Sequence, residues 1–146
     1  EFILFNIISS KKRQEEGSMT DDKKVLLNNL GYLYIAFAHL TDANLQQSEL
    51  EAIKSKLIER APDLSYDEVT NLLDDAIQWY NKSADERLRV VNTIAEAIHY
   101  DIEEASIKIS ILDDLVAIAK ADGNYQFEEK AFVNVLSSAW GIDYSV

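Results

Sequence analysis

The sequence predicts an all-α protein, a compact bundle of about six to seven helices. Apolar residues recur at three- and four-residue spacing along most of the chain, and no segment alternates in the way a strand does. The chain has one proline and four glycines in 146 residues, too few for the many tight turns of a sandwich or barrel. Its length suits one domain with a single hydrophobic core.

Two helices are predicted at the start of this domain. Thr20 can cap a helix that runs to about Leu40, and a second helix follows over about 47–60. Pro62 prevents the second helix from continuing, because proline lacks the backbone amide proton that a helix needs. The residues expected to face inward are Val25, Leu26, Leu30, Leu33, Tyr34 and Phe37, followed by Leu50, Ile53, Leu57 and Ile58.

A capping box predicts the start of each of the next two helices. Ser65 with Glu68 predicts the start of a helix over about 66–81, and Ser83 with Glu86 predicts one over about 84–100. In this motif the serine hydroxyl and the glutamate carboxylate each bond a free backbone amide of the first turn. The expected inward residues are Val69, Leu72, Leu73, Ile77 and Tyr80, then Leu88, Val91, Ile94, Ala95 and Ile98.

The last two predicted helices cover about 103–120 and 127–140. Gly141 stands where a glycine commonly ends a helix in left-handed geometry. The expected inward residues are Ala105, Ile109, Leu112, Leu115, Val116 and Ala119, then Phe132, Val133, Leu136 and Trp140.

The chain also contains an internal repeat. A shift of 80 residues places Asp42-Ala43-Asn44-Leu45-Gln46 over Asp122-Gly123-Asn124-Tyr125-Gln126, and Glu49 over Glu129. Asp and Asn favour tight turns, and each Glu falls in the first turn of the helix that follows. The repeat therefore predicts two helical hairpins with related structures.

The second copy of this repeat resembles the TerB family, which includes the domain ahead of the J-domain in DjlA-type co-chaperones. The resemblance implies an all-helical domain over 19–146, an association with stress or tellurite resistance and membrane-linked complexes, and acidic loops suspected of metal binding. It implies no established enzymatic activity. In the first copy Ala43 replaces the glycine of the family phrase. The matching residues are Ala119, Ala121, Asp122, Gly123, Tyr125, Glu129, Phe132, Leu136 and the phrase Trp140-Gly141-Ile142.

Residues 1–18 differ from this domain, and we expect them to be a tail, a linker or a fused peptide. Gly17-Ser18 before Met19 resembles a linker scar. Three origins stay open: an expression remnant, the stub of a membrane helix with its basic residues on the cytoplasmic side, and a partner peptide that docks on the domain. We favour docking, since the run is too short to span a bilayer. The candidate docking residues are Phe2, Ile3, Leu4, Phe5, Ile7 and Ile8.

The charge of the chain restricts its partners. The formal net charge is −12, and residues 1–18 contribute nothing to it because they hold three basic and three acidic side chains. Such a domain repels nucleic acid and anionic lipid, so we expect neither nucleic-acid binding nor membrane insertion of 19–146. Cations and basic protein surfaces are better partners, although the acidity also serves solubility. We expect a cytoplasmic protein that meets membranes only through a partner.

The two repeated turns are the candidate metal site. Their oxygen ligands suit Ca²⁺ or Mg²⁺, but Val133 stands where an EF-hand starting at Asp122 needs a glutamate. The alternative is that these residues only shape turns and cap helices, which is the interpretation we favour. The candidate ligands are Asp42, Asn44, Glu49, Asp122, Asn124, Glu128 and Glu129.

Catalytic motifs are missing from the sequence. The pairs Asp74-Asp75 and Asp113-Asp114 point about 100° apart on a helix, so we interpret them as solvated faces. His39 has no histidine or glutamate four residues away, and we interpret His99, with Glu96 and Glu103 nearby, as a packing or surface residue rather than a ligand. Without cysteine there is no thiol nucleophile. The sequence therefore predicts a protein that is not an enzyme.

The leading hypothesis is an interaction domain that binds a protein or peptide partner, such as the cytoplasmic segment of a membrane protein. An acidic Ca²⁺ or Mg²⁺ sensor or buffer is the alternative. The aromatic residues are numerous for a small bundle, and some are expected to line a groove for a partner segment. The groove candidates are Tyr34, Phe37, Trp79, Tyr80, Tyr125 and Trp140.

Overall fold

A computed structural model describes residues 19–39, 47–82, 84–121, 123, 125 and 127–144. In these ranges the chain is a helical bundle without strands, which confirms the predicted fold class. The six α-helices are α1 (Met19–Ala38), α2 (Gln47–Arg60), α3 (Tyr66–Lys82), α4 (Arg87–Asp101), α5 (Ala105–Lys120) and α6 (Phe127–Ala139).

Helix α1 is the centre of the bundle. It contacts every other helix, and each residue from 29 to 38 is buried. The sequence predicted one buried face, whereas the second half of the helix is enclosed on all sides, including Tyr32 and Ile35. Gly31 permits the close approach of α3, because a Cβ atom there would lie 2.9 Å from Leu72 Cδ2.

The predicted helix boundaries agree closely with the structure where local signals are strong. The Ser65 hydroxyl accepts a hydrogen bond from the Glu68 amide, and the Glu68 carboxylate accepts one from the Ser65 amide, both 3.1 Å long. This confirms the first capping box. Ser83 of the second predicted box lies outside the described residues, and Glu86 pairs instead with Arg89 at 2.9 Å.

The end of α6 is the left-handed cap that Gly141 predicts. Gly141 has a φ of +68°. Its amide donates to the Ser138 carbonyl at 3.1 Å, and the Ile142 amide donates to the Ser137 carbonyl at 2.8 Å. These two bonds form a Schellman motif, which satisfies carbonyls left free at the helix end.

Three predicted inward residues are exposed. A short 3-10 helix over Ala84–Glu86 precedes α4, so Leu88 falls in the first turn of α4 and is 76% exposed. Ala105 is the first residue of α5, at the edge of the core, and is also exposed. Ile109 is 37% exposed because it lies two residues before the buried Ile111, which is a rotation of about 200° around the helix axis.

None of the helices in the described part of the chain is both long enough and apolar enough to cross a membrane.

Candidate functional site

The two predicted hairpins meet at a buried polar cluster. The Tyr34 hydroxyl on α1 donates to Asp114 Oδ2 on α5 at 2.6 Å, and Arg60 Nε at the end of α2 donates to the same oxygen at 2.8 Å. Tyr34 and Asp114 are 80 residues apart, which is the spacing of the repeat. The contact therefore joins the first helices of the two predicted hairpins at positions that the repeat aligns.

This cluster corrects the prediction that Asp113 and Asp114 form a solvated face. Asp113 is exposed, but Asp114 is buried and paired. Arg60 also donates to the Ser110 hydroxyl at 2.9 Å, so its guanidinium joins α2 to two turns of α5. Burial, with the nearby Asp114 carboxylate, raises the pKa of Tyr34 well above its ordinary value. The cluster is structural, since it lies within the core.

The two glutamates of the repeated turns occupy matching places. Glu49 in the first turn of α2 is 1% exposed, and Glu129 in the first turn of α6 is 2% exposed. Helix N-termini favour negative charge, which agrees with the expected helix-capping role. Glu128, the neighbouring candidate ligand, is exposed. The two acidic residues at the start of α6 therefore differ in exposure: Glu129 is buried and Glu128 faces solvent.

The other four candidate ligands, Asp42, Asn44, Asp122 and Asn124, lie outside the described residues. Among the residues that are described, no group of three or more histidine or acidic side chains is arranged to hold a metal ion. The cation hypothesis therefore remains a prediction.

Two tyrosines surround the second turn. Lys120 Nζ and Lys130 Nζ lie over the ring of Tyr125, 5.7 Å and 5.3 Å from its centroid. The Tyr144 hydroxyl donates to Asp113 Oδ1 at 2.6 Å. Burial and this carboxylate raise the pKa of Tyr144, and burial with Glu129 raises the pKa of Tyr125. These contacts place Tyr125 against α5 and α6, and Tyr144 against α5.

Most of the groove candidates belong to the core. Tyr34, Phe37, Tyr80 and Trp140 are buried, so these four side chains present no open surface to a partner. Trp140, for example, donates from its indole nitrogen to the Ala95 carbonyl at 3.0 Å, which holds the end of α6 on α4. Only Trp79 and Tyr125 are partly exposed.

Both histidines are engaged within the bundle. Nδ1 of His39 lies 2.9 Å from the Tyr80 hydroxyl, and Nδ1 of His99 lies 3.0 Å from Lys108 Nζ. A lysine ammonium can only donate, so Nδ1 of His99 acts as the acceptor. These contacts are consistent with the expected packing roles of the two residues.

An apolar row on the outer side of α6 was not predicted from the sequence. Phe127 and Val135 are 79% and 70% exposed, Ala139 is exposed and Ala131 is half-buried. The four residues follow one another at four-residue steps, so they form a continuous row along the helix surface. We call this row the α6 ridge. The signal for this ridge in the sequence was that α6 contains apolar residues in addition to those expected on its inward face.

The family model described as Tellurite resistance protein TerB matches residues 34–145 of the chain. This match covers both repeated turns, the buried polar cluster and the α6 ridge. Neither the curated proteins nor the solved structures contain a match to the chain.

Proposed function

Because the chain belongs to the TerB family, we propose that it is a non-enzymatic interaction domain whose α6 ridge docks a hydrophobic segment of a partner protein. The observation that supports this proposal is the exposure of Phe127 and Val135 on one uncharged row. The family description suggests tellurite resistance as the setting, and we propose a stress- or tellurite-resistance-type complex in the cytoplasm.

The shape of the α6 ridge favours a packed segment over a small ligand. Residues four apart on a helix form a ridge that fits the groove of another helix. Large Phe127 and Val135 alternate with small Ala131 and Ala139, so a partner side chain can enter between the large ones. Full burial of an exposed Phe or Val stabilises a complex by about 1.5–3 kcal/mol.

The charge of the domain indicates which residues should accompany the apolar segment of the partner. With a net charge of −12 on residues 19–146, basic residues beside the apolar segment increase the association rate and exclude acidic competitors. Segments at the cytoplasmic end of membrane helices combine an apolar stretch with lysine and arginine. We therefore propose such a membrane-proximal segment as the partner.

The test uses a fluorescent synthetic probe peptide of seven apolar residues, a short polar spacer and three basic residues. Its affinity is measured by anisotropy against the full wild-type chain, Val135→Glu and Leu88→Glu. We expect Val135→Glu to weaken binding at least about tenfold, or about 1.4 kcal/mol, because it places a charge in the apolar contact.

Leu88→Glu is the matched control, since Leu88 is as exposed as Val135 but lies on α4. It should retain wild-type affinity, and circular dichroism should show that both variants remain helical. Equal affinity of the two variants would contradict docking on the α6 ridge.

A second candidate is binding of Ca²⁺ or Mg²⁺ by the repeated turns. Its support is that Glu49 and Glu129, 80 residues apart as the repeated turns are, are both buried in the first turn of the helix that follows the turn. Titration calorimetry with Ca²⁺, Mg²⁺ and Zn²⁺ tests it on the wild type, Glu129→Gln and the exposed control Glu128→Gln. Heat that only Glu129→Gln abolishes supports the site, whereas no heat in any sample refutes it.

A further inference from the structure

We propose that the α6 ridge is also a self-association surface, on which a second copy of the chain packs its own α6 in the antiparallel direction. This inference rests on the proposed function for its surface, the α6 ridge, and adds what covers that surface when no partner is bound. Residues 1–18, which include the candidate docking segment Phe2–Ile8, lie outside the described part of the chain. They therefore supply no evidence on what covers the ridge.

The internal repeat offers a comparison within the molecule. A shift of 80 residues places the α6 ridge on a row of α2 whose four residues are all exposed. These residues are Gln47, Glu51, Ser55 and Glu59. Because this row is polar and carries two carboxylates, the outer side of the second helix in a repeated hairpin does not need apolar side chains. The apolar character of the ridge is therefore specific to α6 and indicates a contact with another molecule.

A row on α4 shows how the remaining exposed apolar side chains differ from the ridge. Leu88 and Tyr100 lie on one row of α4 at four-residue steps and are 76% and 65% exposed. Asn92 and Glu96 stand between them and are exposed as well. In the described part of the chain, four successive apolar side chains that are each exposed or half-buried occur only on the α6 ridge.

The order of side-chain sizes makes the ridge complementary to itself. Along the row the side chains are large, small, large and small: Phe127, Ala131, Val135 and Ala139. A second copy that runs antiparallel, about a two-fold axis beside position 133, places its Ala139 opposite Phe127. The same axis places its Ala131 opposite Val135. Each large side chain then lies over a small one, which is the arrangement in which facing helices interdigitate.

One two-fold axis generates all of these contacts, so the interface is isologous. Rows of residues four apart lie alongside each other when two helices cross at about 50°. The ridge is about 18 Å long and a helix is about 10 Å wide. This strip is smaller than the roughly 800 Å² that each partner buries in a standard interface. We therefore expect a weak, reversible dimer that a partner segment can separate.

The charges on α6 permit a second copy to approach. The exposed charged residues of this helix are Glu128 and Lys130, which have opposite signs. The outer side of α6 is therefore close to neutral, although the whole chain has a net charge of −12. Repulsion between two copies comes from more distant charges, and salt screens it beyond about 10 Å at 0.1 M. Higher salt should strengthen the dimer, whereas it should weaken binding of the basic probe peptide.

Sedimentation equilibrium of the full chain tests self-association. We expect the weight-average mass of the wild type to rise with concentration from that of one chain towards that of two. Val135→Glu should raise the dissociation constant of the dimer at least about tenfold, because each copy places a carboxylate in the apolar contact. Leu88→Glu should leave this constant unchanged. A wild type that stays monomeric at every concentration, or equal dimerisation of the two variants, would overturn the proposal.

Disulfide cross-linking tests the antiparallel register. The chain has no cysteine, so Ala131→Cys and Val135→Cys each introduce one thiol, and the proposed packing places these two positions opposite each other. Two copies of the same position are offset by about 6 Å along the helix axis, which adds to the separation of the helices and exceeds the reach of a disulfide. In a glutathione buffer, a mixture of the two variants should give at least about threefold more linked dimer than either variant alone.

The repeat supplies a matched control for cross-linking. Glu51→Cys and Ser55→Cys occupy the equivalent positions on the polar row of α2, and their mixture should give no more linked dimer than Leu88→Cys alone. Equal cross-linking of the α2 and α6 mixtures would overturn the proposal. So would stronger linking of Val135→Cys to itself than to Ala131→Cys, because that result indicates parallel packing.

Failure of the dimer is distinguishable from failure of the proposed function. Probe-peptide binding that depends on Val135, in a chain that stays monomeric, refutes the dimer and retains the proposed function. An antiparallel dimer that does not bind the probe peptide gives the reverse result. In a chain that does both, saturating peptide should shift sedimentation towards the monomer, because one surface serves both contacts. A dimer that persists under saturating peptide would contradict the shared surface.

Discussion

Tyr34 and Asp114, at equivalent positions of the two repeated hairpins, are joined by a 2.6 Å hydrogen bond in the core. Arg60 adds a second bond to the same carboxylate at 2.8 Å. The two bonds therefore join α1 and α2 of the first predicted hairpin to α5 of the second. They also fix the relative position of α1 and α5, from which the two repeated turns extend.

Replacing Asp114 should strongly destabilise the fold. We expect Asp114→Ala to lower the free energy of unfolding by about 3 kcal/mol, because Arg60 is left without its partner. This value is at the low end for a buried pair, since the Arg60 side chain keeps 19% of its exposure. Urea denaturation measures the change, and the exposed neighbour Asp113→Ala is the control, with an expected loss below about 1 kcal/mol.

A double-mutant cycle with Tyr34→Phe separates the hydrogen bond from the rest of the cluster. Tyr34→Phe alone should cost about 1–2 kcal/mol, and the two substitutions together should cost less than their sum, because they remove a shared interaction. Additive losses would mean that the tyrosine and the aspartate stabilise the fold independently.

The protein should lose stability in alkaline solution. Burial raises the pKa of Tyr34 above its ordinary value, so the folded state keeps a proton that the unfolded state releases near pH 10. The resulting stabilisation is complete below about pH 10 and falls as the pH rises from there towards the folded pKa.

The pH dependence is checked by measuring the free energy of unfolding from about pH 8, two units below the ordinary tyrosine pKa of about 10, to about pH 11, one unit above it. The free energy of unfolding of Tyr34→Phe should be lower than that of the wild type at pH 8, but it should fall less steeply above about pH 10. Parallel curves for the two proteins would contradict a role for Tyr34 ionisation. Tyr144, whose pKa is also raised, accounts for part of the slope that remains in the variant.

The cap of α3 gives a local prediction. Ser65→Ala removes the hydroxyl that accepts the Glu68 amide proton, so the free energy of unfolding should fall by about 1 kcal/mol. Ser65→Asp should retain most of the stability, because a carboxylate also caps a helix. Thermal unfolding followed by circular dichroism measures both, and equal melting temperatures for wild type and Ser65→Ala would contradict the capping role.

Local signals allowed most of the fold to be predicted. The Ser65–Glu68 box, the Gly141 cap and the bounds of α2 depend on neighbours within a few residues, so the sequence contains the information. Leu88 was wrongly predicted to face inward, because a 3-10 helix occupies Ala84–Glu86 and α4 begins only at Arg87. Helix spacing alone does not reveal such a change.

Tertiary contacts were harder to predict. Helical spacing identifies one face of α1, but it cannot show that the helix is surrounded on every side. Asp114 looked like a surface residue because its partners, Tyr34 and Arg60, are distant in sequence. The 80-residue shift that aligned the turns also aligned Tyr34 with Asp114, and this was the one available signal.

The α6 ridge was missed for a related reason. Phe132, Val133 and Leu136 explain α6 as a core helix, so the outward Phe127 and Val135 did not stand out as a second row. Conversely, the aromatic residues expected in a groove were mostly needed for the core. A small bundle needs most of its large side chains to fill the core. The few that remain exposed can be identified only from the structure.

The most direct test of docking on the α6 ridge is a chemical-shift titration of the full ¹⁵N-labelled chain with the probe peptide. We expect the largest amide shifts to cluster at Phe127, Ala131, Val135 and Ala139, and to vanish in Val135→Glu. Shifts that centre on α4 around Leu88, or that persist unchanged in Val135→Glu, would contradict docking on the α6 ridge.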